Sequence, residues 1–286
     1  MLTVADVQMA AERIASYVRR TPLIGAWCLK ENPFPECELL LKLECLQVTG
    51  SFKPRGATNK LLSLPEADVR RGIITASGGN HGLAVAYAGW LAKTRTTVYV
   101  PENVSPDKKK KLAVWGATVE VCGHHWHEAN REALAVAERD GLTYFHPFAD
   151  PAVIAGQGTV ALEVLEQAPE LDTLLVAIGG GGLISGAALA AKAIRPSLRI
   201  VGIEPTGAAT LYESVKAGRV VELPGITTRV PTLAALRTEP VNLEMGLAAD
   251  MSGAAGIAAL LSGKVRPKIG EKVCVLVCGA GPDGLA

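Results

Sequence analysis

From residue 72 onward, short apolar segments alternate with longer segments of helical periodicity, and no other feature constrains the fold as strongly. Each strand-helix-strand unit predicts two parallel strands joined by a crossover helix, so we expect an α/β protein with parallel sheets and helices on both faces. The predicted strands are 38–44, 72–77, 96–100, 118–122, 143–145, 173–178, 199–203 and 272–277. The predicted helices are 4–20, 80–91, 106–115, 127–139, 153–167, 183–194 and 208–217. Periodicity is weakest over 220–250.

The composition indicates a globular protein, because 49% of the 286 residues are apolar and 20% are charged. A net charge of +1 gives no sign of the basic surface with which a protein binds nucleic acid or an anionic membrane. No apolar run reaches the ~18 residues of a membrane span, and the N-terminus lacks a signal-peptide pattern, so a cytoplasmic protein is expected. The six cysteines form no CxxC pair, which argues against a zinc site and a disulfide framework.

Lys53 lies in the segment Thr49-Gly-Ser-Phe-Lys-Pro-Arg-Gly56, just after the predicted strand 38–44. Phe52 and small residues surround it, and we interpret its flanks as a Gly/Ser turn and a Pro-Arg-Gly turn. Such a setting lowers the pKa of a lysine and suits an amine that attacks a carbonyl. Taken alone, the octapeptide fits an ordinary loop lysine equally well.

Three glycine-containing turns follow predicted strands, where open parallel sheets bind their ligands. Ser77-Gly-Gly-Asn-His-Gly82, here the Ser77 loop, leads into a helix and could hold an anion or could be a simple tight turn. Gly179-Gly-Gly-Gly-Leu183, the glycine loop, has more glycines than a turn needs, which favours a phosphate cradle. Cys278-Gly-Ala-Gly281, the thiol loop, could place its thiol against a ring nitrogen or simply pack it.

No GxxxxGK[ST] sequence is present, and no GxGxxG precedes a strand with an acidic residue, which argues against a P-loop and disfavours a dinucleotide. A lysine amine, a phosphate cradle and an anion-binding loop are instead the parts that pyridoxal phosphate chemistry requires.

In this combination and order, the chain resembles the serine/threonine dehydratase branch (threonine ammonia-lyase and serine racemase-like) of the fold type II, tryptophan-synthase-β-like pyridoxal phosphate enzymes. Ser51-Phe-Lys-Pro-Arg-Gly56 resembles the family's Schiff-base lysine motif. The Ser77 loop resembles its substrate-carboxylate loop and the glycine loop its phosphate loop. His146-Pro-Phe148 and Ala155-Gly-Gln-Gly-Thr159 also stand where the family carries such sequences.

The resemblance implies two open, twisted parallel-sheet domains with the cofactor in the cleft between them. The larger would comprise residues 1–45 and 146–286, and the smaller residues 46–145. It also implies a homodimer that converts a 3-hydroxy amino acid, such as L-threonine, L-serine or a larger one, to a 2-oxo acid and ammonia by α,β-elimination. Alternatives are a racemase or β-replacement synthase of the same fold, or a non-catalytic Rossmann-like nucleotide-binding protein, which would have no use for Lys53.

The resemblance also implies roles for individual residues. Lys53 would hold the cofactor and then remove the Cα proton, Phe52 would lie near the cofactor ring, and Asn80 would bind its 3′-hydroxyl. Cys278 stands where the family commonly has a serine at the pyridine nitrogen, and a protonated thiol would keep that partner neutral. The implied cofactor-binding set is Lys53, Phe52, Asn80, Gly179, Gly180, Gly181, Gly182, Leu183 and Cys278. The implied substrate-binding set is Ser77, Gly78, Gly79, Asn80 and His81.

Several positions depart from the family pattern. Gly78 stands where serine racemases have a second serine that protonates Cα, so racemisation is expected to be weak. Glu204 and the Ala208 carbonyl are candidate ligands for the divalent cation of racemase-like members, but Thr210 replaces an expected carboxylate, so a tight Mg²⁺ site is not expected. The chain is also shorter than the family between Thr232 and Ser252.

A second cluster, His124-His-Trp-His127, has spacing that does not match a pair of zinc ligands on a helix. We interpret it as the solvated start of a helix.

Overall fold

In the computed structural model, the described residues are 1–26, 34–228, 233–244 and 256–279. The elements follow the predicted alternation, with ends shifted by no more than two residues, except that the first helix, predicted over 4–20, ends at Ile14. The strands are β1 (Leu23–Gly25), β2 (Glu38–Leu43), β3 (Ile73–Ala76), β4 (Thr96–Val100), β5 (Thr118–Val121), β6 (Thr143–Tyr144), β7 (Thr173–Ala177), β8 (Arg199–Ile203) and β9 (Lys272–Val277). The helices are α1 (Val4–Ile14), α2 (Lys53–Ser63), α3 (Glu66–Arg71), α4 (Asn80–Ala92), α5 (Pro106–Val114), α6 (Trp126–Asp140), α7 (Pro151–Gln167), α8 (Gly182–Ile194), α9 (Thr210–Ala217), α10 (Pro240–Glu244) and α11 (Gly256–Leu261).

The strands form two separate sheets, which confirms the predicted α/β architecture with two parallel-sheet units. The five-stranded sheet has the order β1-β2-β9-β7-β8, and the four-stranded sheet has the order β5-β4-β3-β6. Every pairing is parallel except that of the edge strand β1 with β2. The sequence did not predict this antiparallel edge, because a three-residue strand carries almost no periodic signal.

The sheet topology explains how distant glycine-containing turns can approach one another. The Ser77 loop follows β3, the glycine loop follows β7, and the thiol loop follows β9. Strands β7 and β9 are adjacent and parallel, so their two loops leave the same edge of the larger sheet. Within the described part of the chain, no helix is long and apolar enough to cross a membrane.

Helix α7 packs against both α2 and α8, and glycines allow the close approach at each crossing. A Cβ at Gly156 would lie 2.4 Å from the Arg55 carbonyl oxygen, and one at Gly158 would lie 2.7 Å from the Gly186 carbonyl oxygen. Real Cβ atoms essentially never come closer than 3.0 Å. Helix α7 therefore fixes α2, which begins at Lys53, relative to α8, which begins in the glycine loop.

A buried ionic network joins the end of β2 to α2 and α7. The fully buried Arg55 guanidinium donates to Glu44 (Nε to Oε2, 2.7 Å) and to Glu163 (Nη1 to Oε1, 2.7 Å). The fully buried Lys42 ammonium donates to Glu163 Oε2 at 2.6 Å. Because two cations face two carboxylates, each buried charge has a partner that offsets its desolvation.

The predicted Pro-Arg-Gly turn after Lys53 is wrong, because these residues form the first turn of α2. Pro54 suits the first turn of a helix, because an N–H at that position would have no acceptor within the helix. Arg55 is held by Glu163, 108 residues further along the chain, so the contact that supports this helix start is not visible in the local sequence.

Candidate active site

Lys53 is the first residue of α2, and its amine lies near Cys278, the residue after β9 of the larger sheet. Nζ donates to the Pro147 carbonyl at 2.7 Å and lies 5.1 Å from the centre of the Phe52 ring. Burial lowers the pKa of Lys53 to about 8, and the nearby Cys278 opposes part of this shift. An amine with this pKa is uncharged in a useful fraction near neutral pH, as a nucleophile or base must be.

The thiol loop lies directly against the segment that carries Lys53. The Phe52 N–H donates to the Cys278 carbonyl at 3.1 Å, and Ser51 pairs with Gly279 in an antiparallel bridge. Burial raises the pKa of the Cys278 thiol to about 12, and Sγ donates to the Leu276 carbonyl at 3.4 Å. The thiol is therefore protonated and neutral. Ala280 and Gly281, the rest of this loop, lie outside the described residues, as does Cys28.

The Ser77 loop reaches the same place through Asn80, the first residue of α4. A Cβ on Gly279 would lie 2.9 Å from Ser51 Cβ and 3.3 Å from Asn80 Nδ2, so the Asn80 amide faces the junction of the thiol loop and the lysine segment. The structure thus brings together residues that are 27 or more positions apart in the chain.

Glycines of the Ser77 loop differ in what surrounds them. A Cβ at Gly82 would lie 2.0 Å from the Ser77 carbonyl oxygen, and one at Gly78 would lie 2.6 Å from Val104 Cγ2. Apart from its two chain neighbours, a Cβ at Gly79 would meet no atom of the described residues within 4 Å. The Ser77 hydroxyl accepts the Gly79 N–H at 3.3 Å. The loop is closed at both ends and open at Gly79.

The His81 side chain points into the protein. The residue is 4% exposed, and Nε2 lies 3.0 Å from the Phe145 carbonyl oxygen. Burial, reinforced by the charge of Lys53, lowers the pKa of His81 to about 3. The neutral ring therefore donates from Nε2, and what His81 offers a ligand is its backbone N–H in the first turn of α4.

The glycine loop has structural reasons for three of its glycines. Gly181 has a φ of +106°, which favours glycine. A Cβ at Gly180 would lie 2.3 Å from the Phe148 ring, and one at Gly182 would lie 2.5 Å from the Phe148 carbonyl oxygen. The number of glycines alone favours a phosphate cradle, but packing against Phe148 accounts for Gly180 and Gly182 independently.

The glycine loop leads directly into the first turn of α8. Helix α8 begins at Gly182, and the Ser185 backbone N–H donates to the Gly181 carbonyl at 3.0 Å. The preceding N–H groups in the first turn have no acceptor inside the helix and carry its positive end. The Leu183 side chain is 6% exposed and packs in the large core cluster, so its backbone is the part that can face a ligand.

Two buried residues that sequence reasoning missed support the glycine loop through hydrogen bonds to its backbone. The Thr238 hydroxyl donates to the Gly180 carbonyl at 3.0 Å. The Asn242 amide donates to the same carbonyl at 3.1 Å and to the Phe148 carbonyl at 3.3 Å, while its oxygen accepts the Ser185 hydroxyl at 3.0 Å. Both lie in the stretch of weakest periodicity, where no sequence pattern marks them. Of the stretch between Thr232 and Ser252, where a shortfall is predicted, 233–244 is described and 245–251 lies outside the described residues.

Glu204 acts as a helix cap. Its carboxylate accepts the N–H groups of Leu211 at 2.9 Å and Tyr212 at 3.0 Å, together with the Thr210 hydroxyl at 3.3 Å. Burial raises its pKa to about 7, and Ala208 ends the short 3-10 helix beside it. Among the described residues, no group of three or more His, Cys, Asp or Glu side chains is arranged to hold a metal ion.

The His124 to His127 cluster starts α6. The Glu128 carboxylate accepts the N–H groups of His124 at 2.7 Å and His125 at 2.9 Å, which is how an acidic residue stabilises a helix N-terminus. The Trp126 indole donates to the Ala76 carbonyl at 2.8 Å, immediately before the Ser77 loop.

Comparison with known proteins assigns the family. The model of the pyridoxal-phosphate dependent enzyme family matches residues 14–245. The chain is 36% identical to the L-threonine ammonia-lyase of Geobacter sulfurreducens, over 98% of this chain and 76% of that protein. It is 35% identical to the serine racemase of Oryza sativa subsp. indica, over 97% and 90%. The structure of maize serine racemase superposes with a TM-score of 0.88 at 33% identity, covering 97% of this chain and 93% of that one. The chain therefore belongs to the family of pyridoxal-phosphate dependent enzymes.

Proposed function

We propose that this protein is a pyridoxal phosphate-dependent dehydratase (ammonia-lyase). It would convert a 3-hydroxy amino acid, such as L-threonine, L-serine or a larger one, to a 2-oxo acid and ammonia by α,β-elimination. The observation that carries this proposal is the meeting of a lysine amine of lowered pKa with a neutral thiol and two helix N-termini at one place. Relatives named threonine ammonia-lyase support the choice of reaction.

The chemistry of the donor groups fits pyridoxal phosphate. Lys53 supplies an amine for the aldehyde, the N–H groups at the start of α8 supply a site for the phosphate, and Cys278 supplies a neutral group for the ring nitrogen. Phe52 and Asn80 adjoin these groups and are proposed to contact the ring and its 3′-hydroxyl. When bound, pyridoxal phosphate supplies the electron sink that stabilises negative charge at the substrate Cα.

Lys53 is the proposed catalytic residue, because its amine can act as both base and acid. With a pKa of about 8, it can take the Cα proton and release it again near neutral pH. The Cys278 thiol, with its pKa raised to about 12, holds its proton and adds no charge beside the ring nitrogen. A neutral partner there favours elimination over transamination.

The Ser77 loop is the proposed site for the substrate carboxylate. Its Ser77 hydroxyl, the N–H groups of Asn80 and His81 and the positive end of α4 all favour an anion. The open side of Gly79 leaves room for a ligand to approach the backbone. At Gly78, no hydroxyl stands where serine racemases have their second serine, and Val104 fills the adjacent space, so elimination is expected to exceed racemisation.

We further propose that residues 1–45 and 146–286 form the larger domain and residues 46–145 the smaller one, with the cofactor in the cleft between them. The two separate sheets support this division. A homodimeric state is proposed from the family resemblance alone, and a cytoplasmic location from a globular sequence without an apolar run of membrane-span length.

Two measurements test the function. The purified protein with pyridoxal phosphate should show a visible absorption band that borohydride abolishes, and peptide mapping should then find the reduced cofactor on Lys53. A panel of 3-hydroxy amino acids should release 2-oxo acid. If substrate chirality were lost faster than oxo acid formed, a racemase would replace the dehydratase, and a protein that stays colourless would contradict both.

A further inference from the structure

We infer that His146 is a positioning residue of the cofactor site, because its Nδ1 fixes the turn that joins Lys53 to the glycine loop. This inference rests on the proposed function only in taking pyridoxal phosphate as the ligand. The family resemblance marked the segment His146-Pro-Phe148 but gave it no role.

The imidazole of His146 forms the turn through its own backbone neighbours. Nδ1 accepts the Ala149 N–H at 2.9 Å and the Phe148 N–H at 3.2 Å. Since Nδ1 accepts, the proton of the neutral ring is on Nε2. The ring is half-buried between the Tyr144 and Phe148 rings, with centroid distances of 6.3 Å and 4.7 Å. Its position and its tautomer are therefore both set by the structure.

The turn contacts Lys53 through one residue and the glycine loop through the next. On one side, the Pro147 carbonyl accepts the Lys53 amine at 2.7 Å. On the other, the Phe148 ring lies so close to Gly180 that a Cβ there would be 2.3 Å from it, and the Phe148 carbonyl approaches Gly182. Releasing the two N–H groups from Nδ1 would loosen both contacts at once.

Electrostatics keep the ring in its accepting form. Burial and the charge of Lys53 lower the pKa of His146 to about 4; Asp150 opposes this shift and Lys60 adds to it. Near neutral pH the ring is uncharged. A protonated ring would lose its acceptor and would place a second cation beside Lys53.

Two substitutions test the hydrogen-bond acceptor and the aromatic ring of His146 separately. His146→Phe keeps an aromatic ring between Tyr144 and Phe148 and removes the acceptor. His146→Asn removes the ring but keeps a side-chain oxygen that can accept an N–H two residues ahead, as asparagine does in turns. The exposed His127, which stacks on His125, offers His127→Phe as a matched control.

The dissociation constant of pyridoxal phosphate is measured by diluting each holoenzyme and following its visible band. We expect His146→Phe to raise it about tenfold, since two hydrogen bonds that order the site are lost. His146→Asn should stay within about threefold of the wild type, and His127→Phe should not differ from it. If His146 had a purely structural role, both His146 variants would have lower melting temperatures. Their dissociation constants for pyridoxal phosphate would then not follow the expected order.

A measurement on the unaltered holoenzyme covers the case in which His146→Phe does not fold. Nitrogen NMR of the imidazoles, with the His146 signal identified by its loss in His146→Asn, should show Nδ1 without a proton. A proton on Nδ1 would overturn the inference. So would a folded His146→Phe variant that binds the cofactor as tightly as the wild type, or His146→Phe and His146→Asn variants that bind it equally weakly. An enzyme that binds the cofactor but releases no 2-oxo acid would contradict the proposed dehydratase and leave this test intact.

Discussion

The Ser77 loop and the glycine loop have the same design in sequence, a strand followed by glycines and a helix, but they are built differently. Phe148 contacts Gly180 and Gly182, while Thr238 and Asn242 hold the Gly180 carbonyl. In the Ser77 loop, Gly78 packs against Val104 and the His81 ring bonds to the Phe145 carbonyl, but around Gly79 the described residues leave open space. A loop supported from behind can hold one invariant group such as a phosphate, whereas a loop with an open side can accept a substrate that comes and goes.

The largest effect is expected from removing the amine that both loops serve. Lys53→Ala should lower 2-oxo acid release by about a thousandfold or more, because the group proposed as base is lost. It should leave the phosphate site in place, so the variant should still bind pyridoxal phosphate without the borohydride-sensitive band. The control is Lys192→Ala, an exposed lysine that donates to the Pro196 carbonyl. Retained activity in Lys53→Ala would remove the lysine from the mechanism.

Gly180→Ala tests the closed loop. Its Cβ would lie 2.3 Å from the Phe148 ring, and overpacking of this kind costs about 1–3 kcal/mol. We expect the dissociation constant of pyridoxal phosphate to rise about 10- to 100-fold, as measured by equilibrium titration. A companion change, Phe148→Ala, should restore part of the affinity of Gly180→Ala. If Gly180→Ala alone bound the cofactor normally, the loop would not be rigidly supported as described.

Acid should destabilise both regions through their buried histidines. His81 beside the Ser77 loop and His146 beside the glycine loop have pKa values lowered to about 3 and about 4, so the unfolded state binds protons that the folded state does not. Stability is therefore full above the unfolded value of about 6.5 and falls as pH drops below it.

Between pH 7 and pH 5, each histidine should cost about 1–2 kcal/mol of unfolding free energy, measured by urea denaturation. His146→Asn should flatten this pH dependence, while the exposed His127→Asn should not. An unchanged slope in His146→Asn would mean that the ring titrates freely.

The smallest effect is expected from Gly79→Ala, the counterpart of Gly180→Ala. The backbone there has φ −120°, which other residues adopt, and apart from the two chain neighbours no described residue comes within 4 Å of the added Cβ. We expect unfolding free energy within about 0.5 kcal/mol of the wild type and unchanged cofactor affinity, with KM for the amino acid raised a few-fold. If this variant lost cofactor binding, the Ser77 loop would hold the cofactor as the glycine loop does, and the proposed difference between them would be wrong.

The sequence by itself determined the strand-helix alternation, the position of the glycine-containing turns after strands, and Lys53 as a candidate nucleophile. Periodicity and turn chemistry are local properties, and they survive whatever the rest of the chain does. The family resemblance added an expected chemistry to these positions. The two sheets confirmed the predicted α/β fold, whereas the role of Lys53 stays a prediction.

Only the tertiary structure decided how the site is supported. It made Pro54 and Arg55 the start of a helix, because Glu163 lies against Arg55 across the α2–α7 crossing. It placed Asn242 behind the glycine loop, 62 residues from the Gly180 carbonyl that it holds. Such contacts depend on which strands and helices become neighbours, and local sequence does not specify that. The sequence showed where a ligand could bind, and long-range packing decided which loop is rigid and which is open.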